Sequence, residues 1–176
     1  MVRFSIIALC LAALACSPTV YTHGVPNLVM VETGLWRSGQ PTAEGWAYLQ
    51  SLGIRTVVKL NFDSEGSDDG ARALGMTVHE LSIQPEGDKD VFDNLVNTFV
   101  APDASRIASA EAVIAAGGAV LVHCSHGQDR TGIVIGIHRL EHERWSKQAA
   151  YGEMIAHHFH PELNGLHEFW EGVKSP

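Results

Sequence analysis

The sequence predicts an α/β fold with a mostly parallel central sheet flanked by helices. Three observations carry that prediction. Short β-branched runs at residues 54–60 and 119–123 alternate with segments of helical length and periodicity. Glycines stand where those helical patterns stop, at Gly53, Gly75 and the Gly117-Gly118 pair. No internal repeat, low-complexity tract or interior linker divides the chain, and 176 residues with 45% hydrophobic content suit one domain with one core.

Taken in order, residues 28–31 and 35–37 read as short strands around a Thr33-Gly34 turn. Pro41-Thr42 opens a helix to about Leu52, with Trp46, Leu49 and Leu52 on its apolar face. Residues 54–60 form a buried strand. Ser67 caps a short helix over 68–74, and residues 76–83 make the next strand. A polar loop over 84–90 leads to a helical pattern at 91–100, and Pro102-Asp103 starts a helix through Ala116. Residues 119–123 are a short buried strand, 131–143 a helix, and Ser146 caps a further helix through His158. A last, shorter helix spans about 161–170. The acidic run 65–69 reads as a solvated loop, with the ordering of a basic partner as the alternative.

The N-terminus reads as a targeting segment. Arg3 precedes an apolar stretch, 4–15, that is too short to cross a bilayer as a helix, and Ala13-Leu14-Ala15-Cys16 has the small residues of a cleavage site. That run resembles a bacterial lipobox, although Ala13 stands where the lipoprotein pattern prefers Leu. The resemblance implies residues 1–15 as a signal peptide and Cys16 as a lipidated membrane tether, with plain cleavage as the alternative. Residues 16–26 are then a tether and 27–176 the folded domain. The expected location is outside the cytoplasm of a bacterium, periplasmic or membrane-anchored. Cys124 is then the one thiol left in the mature domain, which excludes an internal disulfide and argues for chemistry at that residue.

Twelve basic and 20 acidic residues give a net charge of −8, which argues against a general nucleic-acid partner. A local cluster of donors can still hold an anionic substrate. Such a cluster is legible in His123-Cys124-Ser125-His126-Gly127-Gln128-Asp129-Arg130-Thr131-Gly132, between a buried strand and a helix, at the strand's carboxyl end. The five residues between Cys124 and Arg130 can curl so that their backbone N–H groups point inward, and the next helix adds its positive end. Those groups, with Arg130, favour the thiolate of Cys124 and suit it to attack phosphorus. Arg130 can grip two phosphoryl oxygens bidentately. Thr131 can hydrogen-bond the departing sulfur. Ser125, His126, Gly127 and Gln128 line the cradle, and His123 buttresses it.

Cys-x5-Arg-Thr preceded by His resembles the signature of the protein tyrosine and dual-specificity phosphatase superfamily. Residues 35–41 and 52–60 resemble the opening of its small bacterial members, and 145–154 the helix after the catalytic one, so the resemblance covers roughly 31–170. It implies a single dual-specificity-phosphatase-like domain, a phosphocysteine intermediate, no cofactor and no metal. Arg37 is expected to support the loop.

Such chemistry needs a general acid for the leaving oxygen. One reading places it upstream, among Asp88, Asp90 and Asp93, with Asp90 preferred. The other places it at Asp129, because Cys-x-x-Gly-x-Asp-Arg-Thr resembles myotubularin lipid phosphatases and phytase-like secreted bacterial enzymes. Asp129 is marginally preferred, against a plain role holding a neighbouring N–H. The expected partner is a phosphorylated substrate, a phosphotyrosine protein or an inositol phosphate, met by a monomer.

Ten histidines raise a metal reading, and His138 and His142 share a helix face at i, i+4. Arg139 rather than Glu follows His138, so the His-Glu-x-x-His order is missing, and core or solvated histidines are the expectation. Two rival functions are a rhodanese-type sulfurtransferase, which also cradles an anion around a Cys, and a non-catalytic phosphate-binding lipoprotein.

Overall fold

The computed structural model describes residues 21–84 and 103–174. The signal and lipobox residues, the helical pattern at 91–100, and Asp88, Asp90 and Asp93 lie outside the described residues. A two-stranded hairpin comes first, β1 (Tyr21–Thr22) and β2 (Val25–Pro26). There follow β3 (Val29–Glu32), β4 (Leu35–Ser38), α1 (Ala43–Ser51), β5 (Thr56–Lys59), a 3-10 turn (Asp63–Glu65), α2 (Asp69–Ala73) and β6 (Thr77–Glu80). The remaining elements are α3 (Ala104–Ala115), β7 (Val120–His123), α4 (Asp129–Glu141), α5 (Lys147–Ala156) and α6 (Asn164–Gly172).

The five-stranded sheet has the order β3-β4-β7-β5-β6. Only the β3–β4 pair, joined at Thr33-Gly34, is antiparallel; the other three pairings are parallel. Register sets Ser38 and Lys59 on either side of His123, so three strands deliver their carboxyl ends to one place. Alternation along the strands divides the apolar side chains between two faces. Val57 and Leu121 face Trp46 and Leu49 of α1 and Ala71 of α2. Val58, Val120 and Val122 face the larger cluster supplied by α3, α4, α5 and α6.

Helix starts follow the expected chemistry. The Oγ1 of Thr42 accepts from the Gly45 N–H at 3.2 Å, Ser146 Oγ from Ala149, and an Asp103 carboxylate oxygen from Ser105. Helix α4 begins at Asp129, two residues earlier than the pattern suggested, and is buried from Arg130 to Leu140. A helix enclosed on all sides belongs to the core, and its Gly136 makes room for Met154 and Trp170.

Two expectations need correction. Residues 21–26 are not a plain tether: they form the β1–β2 hairpin, and Val25 is fully buried against Trp46. The domain therefore begins before residue 27. Nor is the run 65–69 solvated throughout: Ser67 and Asp69 are exposed, but Asp68 has no exposure and Glu65 is drawn into an ion pair. Among the described residues no helix is long and apolar enough to cross a membrane.

Trp170 is 1% exposed, stacks near Tyr151 and lies under the Lys147 ammonium. Trp170→Ala is expected to cost about 3–5 kcal/mol of stability in urea unfolding, since the cavity cannot be refilled by the rigid α4 backbone.

Candidate active site

The turn from β7 into α4 wraps around the Cys124 sulfur. Cys124 is 2% exposed, and the Gly127 N–H donates to its Sγ at 3.3 Å. No side chain caps the start of α4, so the N–H groups of its first turn remain directed at the loop, the arrangement that favours an anion. Gly127 has φ +74°, and a Cβ there would lie 2.3 Å from the Ser38 carbonyl carbon. Only glycine meets both demands.

Turning N–H groups inward turns carbonyls outward, and each outward carbonyl finds a donor from another element. The Leu60 N–H donates to His123 O at 2.9 Å, the Gln40 N–H to Ser125 O at 3.1 Å, and Asn27 Nδ2 to His126 O at 2.9 Å. Arg37 Nη2 donates to Gly127 O at 2.9 Å and, more weakly, to Gln128 O at 3.5 Å. Arg37 thus lies under the loop from β4, as expected. It is 1% exposed, and burial lowers its guanidinium to about 10, with the negative groups nearby only partly opposing this.

Arg130 sits on the first turn of α4 and is gripped by Glu65. Its Nη1 donates to Glu65 Oε2 at 2.8 Å and its Nη2 to Oε1 at 2.6 Å, while Ser125 Oγ donates to the same Oε1 at 2.6 Å. Nη2 also donates to Ser125 Oγ at 2.9 Å, and Nη1 to Ile83 O at 3.4 Å. The Arg130 hydrogen bonds hold the Glu65 carboxyl down at about 2, outweighing its partial burial. Burial, the largest single influence, would lower Arg130, but the Glu65 carboxylate and the Cys124 sulfur together keep it above its ordinary value. Glu65 therefore fixes both the loop arginine and the loop serine.

A second buried pair stands behind the cysteine. His123 Nε2 and Asp68 Oδ2 are 2.9 Å apart, both side chains without exposure. Burial would raise the Asp68 carboxyl, yet hydrogen bonds from His123 and Gln40, with the Lys59 charge nearby, bring it below its ordinary value. Gln40 Nε2 donates to Asp68 Oδ1 at 2.9 Å and its Oε1 accepts from Asn61 Nδ2 at 2.8 Å. Lys59, 1% exposed, donates to Gly66 O at 2.8 Å and to the Asp63 carboxylate. These contacts lock the 60–68 loop against the cradle.

The structure brings Cys124, Ser125, Gly127, Arg130, Thr131 and His123 together as the sequence suggested. Thr131 is fully buried and its Oγ1 has no hydrogen-bond partner among the described residues. His126 is exposed at the rim and Gln128 half-buried. Asp129 is placed differently from a free acid: its Oδ1 accepts from both the backbone N–H of His160, at 2.8 Å, and His160 Nδ1, at 2.9 Å. Glu65, Asp68, Lys59, Gln40 and Asn61 were missed by sequence reasoning. Their signal was position, since 59–68 and Gln40 lie at the carboxyl ends of strands β5 and β4, where such sheets bind ligands. Among the described residues, the groups of side chains that could together hold a metal ion lie at the far end of α4, away from the cradle.

Residues 25–169 match a family model described as the tyrosine phosphatase family. The chain is 35% identical over 128 residues to the dual specificity protein phosphatase TpbA of Pseudomonas aeruginosa, a match covering 73% of this chain and 53% of that protein. It is 31% identical over 129 residues to inositol diphosphatase DSP1 of Oryza sativa, covering 72% and 54%. The chain thus spans about half the length of the curated relatives it matches. The crystal structure of P. aeruginosa TpbA superposes with a TM-score of 0.64 at 25% identity, covering 89% of each chain. That protein has also been solved, as a cysteine-to-serine variant, in complex with phosphotyrosine.

The Glu65–Arg130 pair sets a pH expectation. A carboxyl lowered from 4.5 to about 2 in the folded state contributes stability above pH 4.5, and loses it as pH falls through about 2. In acid titrations of unfolding, Glu65→Gln is expected to flatten the stability loss between those values, and a curve parallel to wild type would contradict the pairing.

Proposed function

The chain belongs to the tyrosine phosphatase family, and on that premise we propose that it is a cysteine-dependent phosphomonoester hydrolase acting through a phosphocysteine. The observation that carries the reading is the cradle itself. It combines a buried sulfur that accepts a loop N–H, an uncapped helix start, and an arginine aimed at the same loop by a carboxylate. In this mechanism the Cys124 sulfur attacks phosphorus, the S–P bond forms and the P–O bond to the leaving group breaks. The developing charge falls on oxygens faced by backbone N–H groups and Arg130. The 3.4 Å contact from Arg130 to Ile83 O is the longest that its guanidinium makes, and the one most readily exchanged for a phosphoryl oxygen. Water then attacks the phosphocysteine, the S–P bond breaks, and the buried Thr131 hydroxyl is free to hydrogen-bond the departing sulfur.

The leaving oxygen needs a proton, and the two candidate acids now stand unequally. The double engagement of Asp129 with His160 supports an anchoring role, tying the first turn of α4 to the connection between α5 and α6. That favours Asp90 as the donor. A phosphotyrosine-type ester is the first substrate reading, supported by the relative solved with phosphotyrosine. Inositol polyphosphates are the second, supported by the plant relatives named inositol diphosphatases. Export of the domain, with a signal over 1–15 and Cys16 as a lipid tether, is proposed from the composition of that segment alone.

A phosphate-release panel tests the reading with phosphotyrosine peptide, phosphoserine peptide, phosphoinositides and inositol hexakisphosphate. Wild type should turn over at least one, and Cys124→Ser none; equal inactivity across a broad pH range sinks the proposal. Asp90→Asn should lose turnover on alkyl phosphates by roughly 10²–10⁴-fold while sparing activated aryl phosphates. Asp129→Asn should lower both substrates alike and by less. The reverse pattern would return the acid role to Asp129.

A further inference from the structure

At the end of α4 opposite Arg130, three side chains from two helices converge. His138 lies in the last turn of α4 and His142 caps its C-terminus, so the pair shares one face, with ring centroids 4.9 Å apart. Glu111 comes across from α3 and is only 6% exposed. Its Oε2 lies 3.3 Å from His138 Nδ1 and 3.6 Å from His142 Nε2, and its Oε1 is buried without any hydrogen-bond partner. We propose that Glu111, His138 Nδ1 and His142 Nε2 form a binding site for a divalent transition-metal ion of the zinc type.

Four physical points carry this. First, ligand atoms around a tetrahedral ion with bonds of about 2.0–2.1 Å stand about 3.3–3.4 Å apart. The Glu111–His138 separation meets that spacing and the Glu111–His142 separation misses it by the small turn of one half-exposed imidazole. Second, two imidazoles and a carboxylate form a donor set that suits zinc and its neighbours, whereas calcium and magnesium take oxygen ligands. Third, the outer ring nitrogen of His138 has a partner of its own, because Nε2 lies 2.8 Å from Glu32 Oε1. A carboxylate behind a ligating histidine fixes its tautomer, turns Nδ1 inward as an acceptor and raises its basicity. Fourth, the Glu111 Oε1 is a buried polar atom with no hydrogen-bond partner among the described residues to offset its desolvation.

The surroundings agree with a cation. The C-terminus of α4 carries the negative end of the helix dipole. A cavity of about 320 Å³ opens alongside, lined in part by Glu32, Thr33, Gly34, His138 and His142, leaving room for a water as fourth ligand. The ion would tie α3 to α4 behind the β3–β4 turn. It would brace the helix that carries Arg130 without touching the cradle.

The test uses the full chain carrying Cys124→Ser, so that the cradle thiol does not compete for metal. Chelator-treated protein is titrated with zinc chloride in a calorimeter, and with cobalt chloride in a spectrophotometer. One saturable equivalent of micromolar affinity or tighter is expected, with cobalt giving the intense visible bands of a tetrahedral site. In His142→Ala, which alters a half-exposed side chain and leaves the core intact, that equivalent should weaken at least tenfold or vanish. Glu111→Gln should do the same, and Glu32→Gln should weaken it by roughly 10–100-fold. His167→Ala, remote from the cluster, should bind as the parent does. Absence of a saturable equivalent in the parent, or binding by His142→Ala as tight as the parent's, overturns the proposal.

Discussion

A loop that presents its N–H groups to an anion must present its carbonyls to the protein, and most of this fold answers to that constraint. Residues 123 to 128 turn five carbonyls outward, and each is met by a donor. Leu60 comes from the end of β5, Gln40 from the turn before α1, Asn27 from the segment after the first hairpin, and Arg37 from β4. An unmet buried carbonyl costs about 1–3 kcal/mol, so losing several of these donors would destabilise the cradle. This gives a reason for the hairpin at the start of the domain: it carries the chain to Asn27 and, through Pro26 O, accepts from the Gly39 N–H beneath the loop.

The charges are arranged around the same loop in pairs of unequal kind. Arg37 is buried with one guanidinium nitrogen unpartnered, and burial is the largest influence on it, so it depends on the loop carbonyls and on nearby negative charge. Arg130 is also buried, yet the Glu65 carboxylate and the Cys124 sulfur together outweigh that burial, and the bidentate Glu65 contact holds it in one orientation. Arg37 shapes the loop from beneath, while Arg130 is held at the position where substrate charge would arrive. Behind them, the His123–Asp68 pair is wholly enclosed, and such a pair contributes mainly by the penalty of breaking it.

Much of the fold was legible because it is written locally. The apolar runs of β5 and β7, the caps at Thr42, Asp103 and Ser146, and the glycine stops all act within a few residues of themselves. The cradle was legible for the same reason, being one contiguous turn between a strand and a helix. The acidic run at 65–69 was misread in part because composition there suggests solvent. The burial of Asp68 and the pairing of Glu65 are set by partners 55 to 65 residues away, namely His123 for Asp68, and Ser125 and Arg130 for Glu65. The hairpin at 21–26 was misread because its turn-rich composition resembles a tether and its buried Val25 packs on a helix that follows.

The sequence by itself determined the alternating architecture, the cysteine and arginine of the loop, and the family to which they point. Only the tertiary structure decided which charges stand behind them. It drew Glu65 onto Arg130, sank Asp68 against His123, bound Asp129 to His160 and gathered Glu111 beside His138 and His142. The physical reason is separation along the chain. Hydrophobic period, capping and turn chemistry are satisfied by near neighbours and leave a local signature. An ion pair formed across 65 residues leaves none until the sheet register has brought its two ends together.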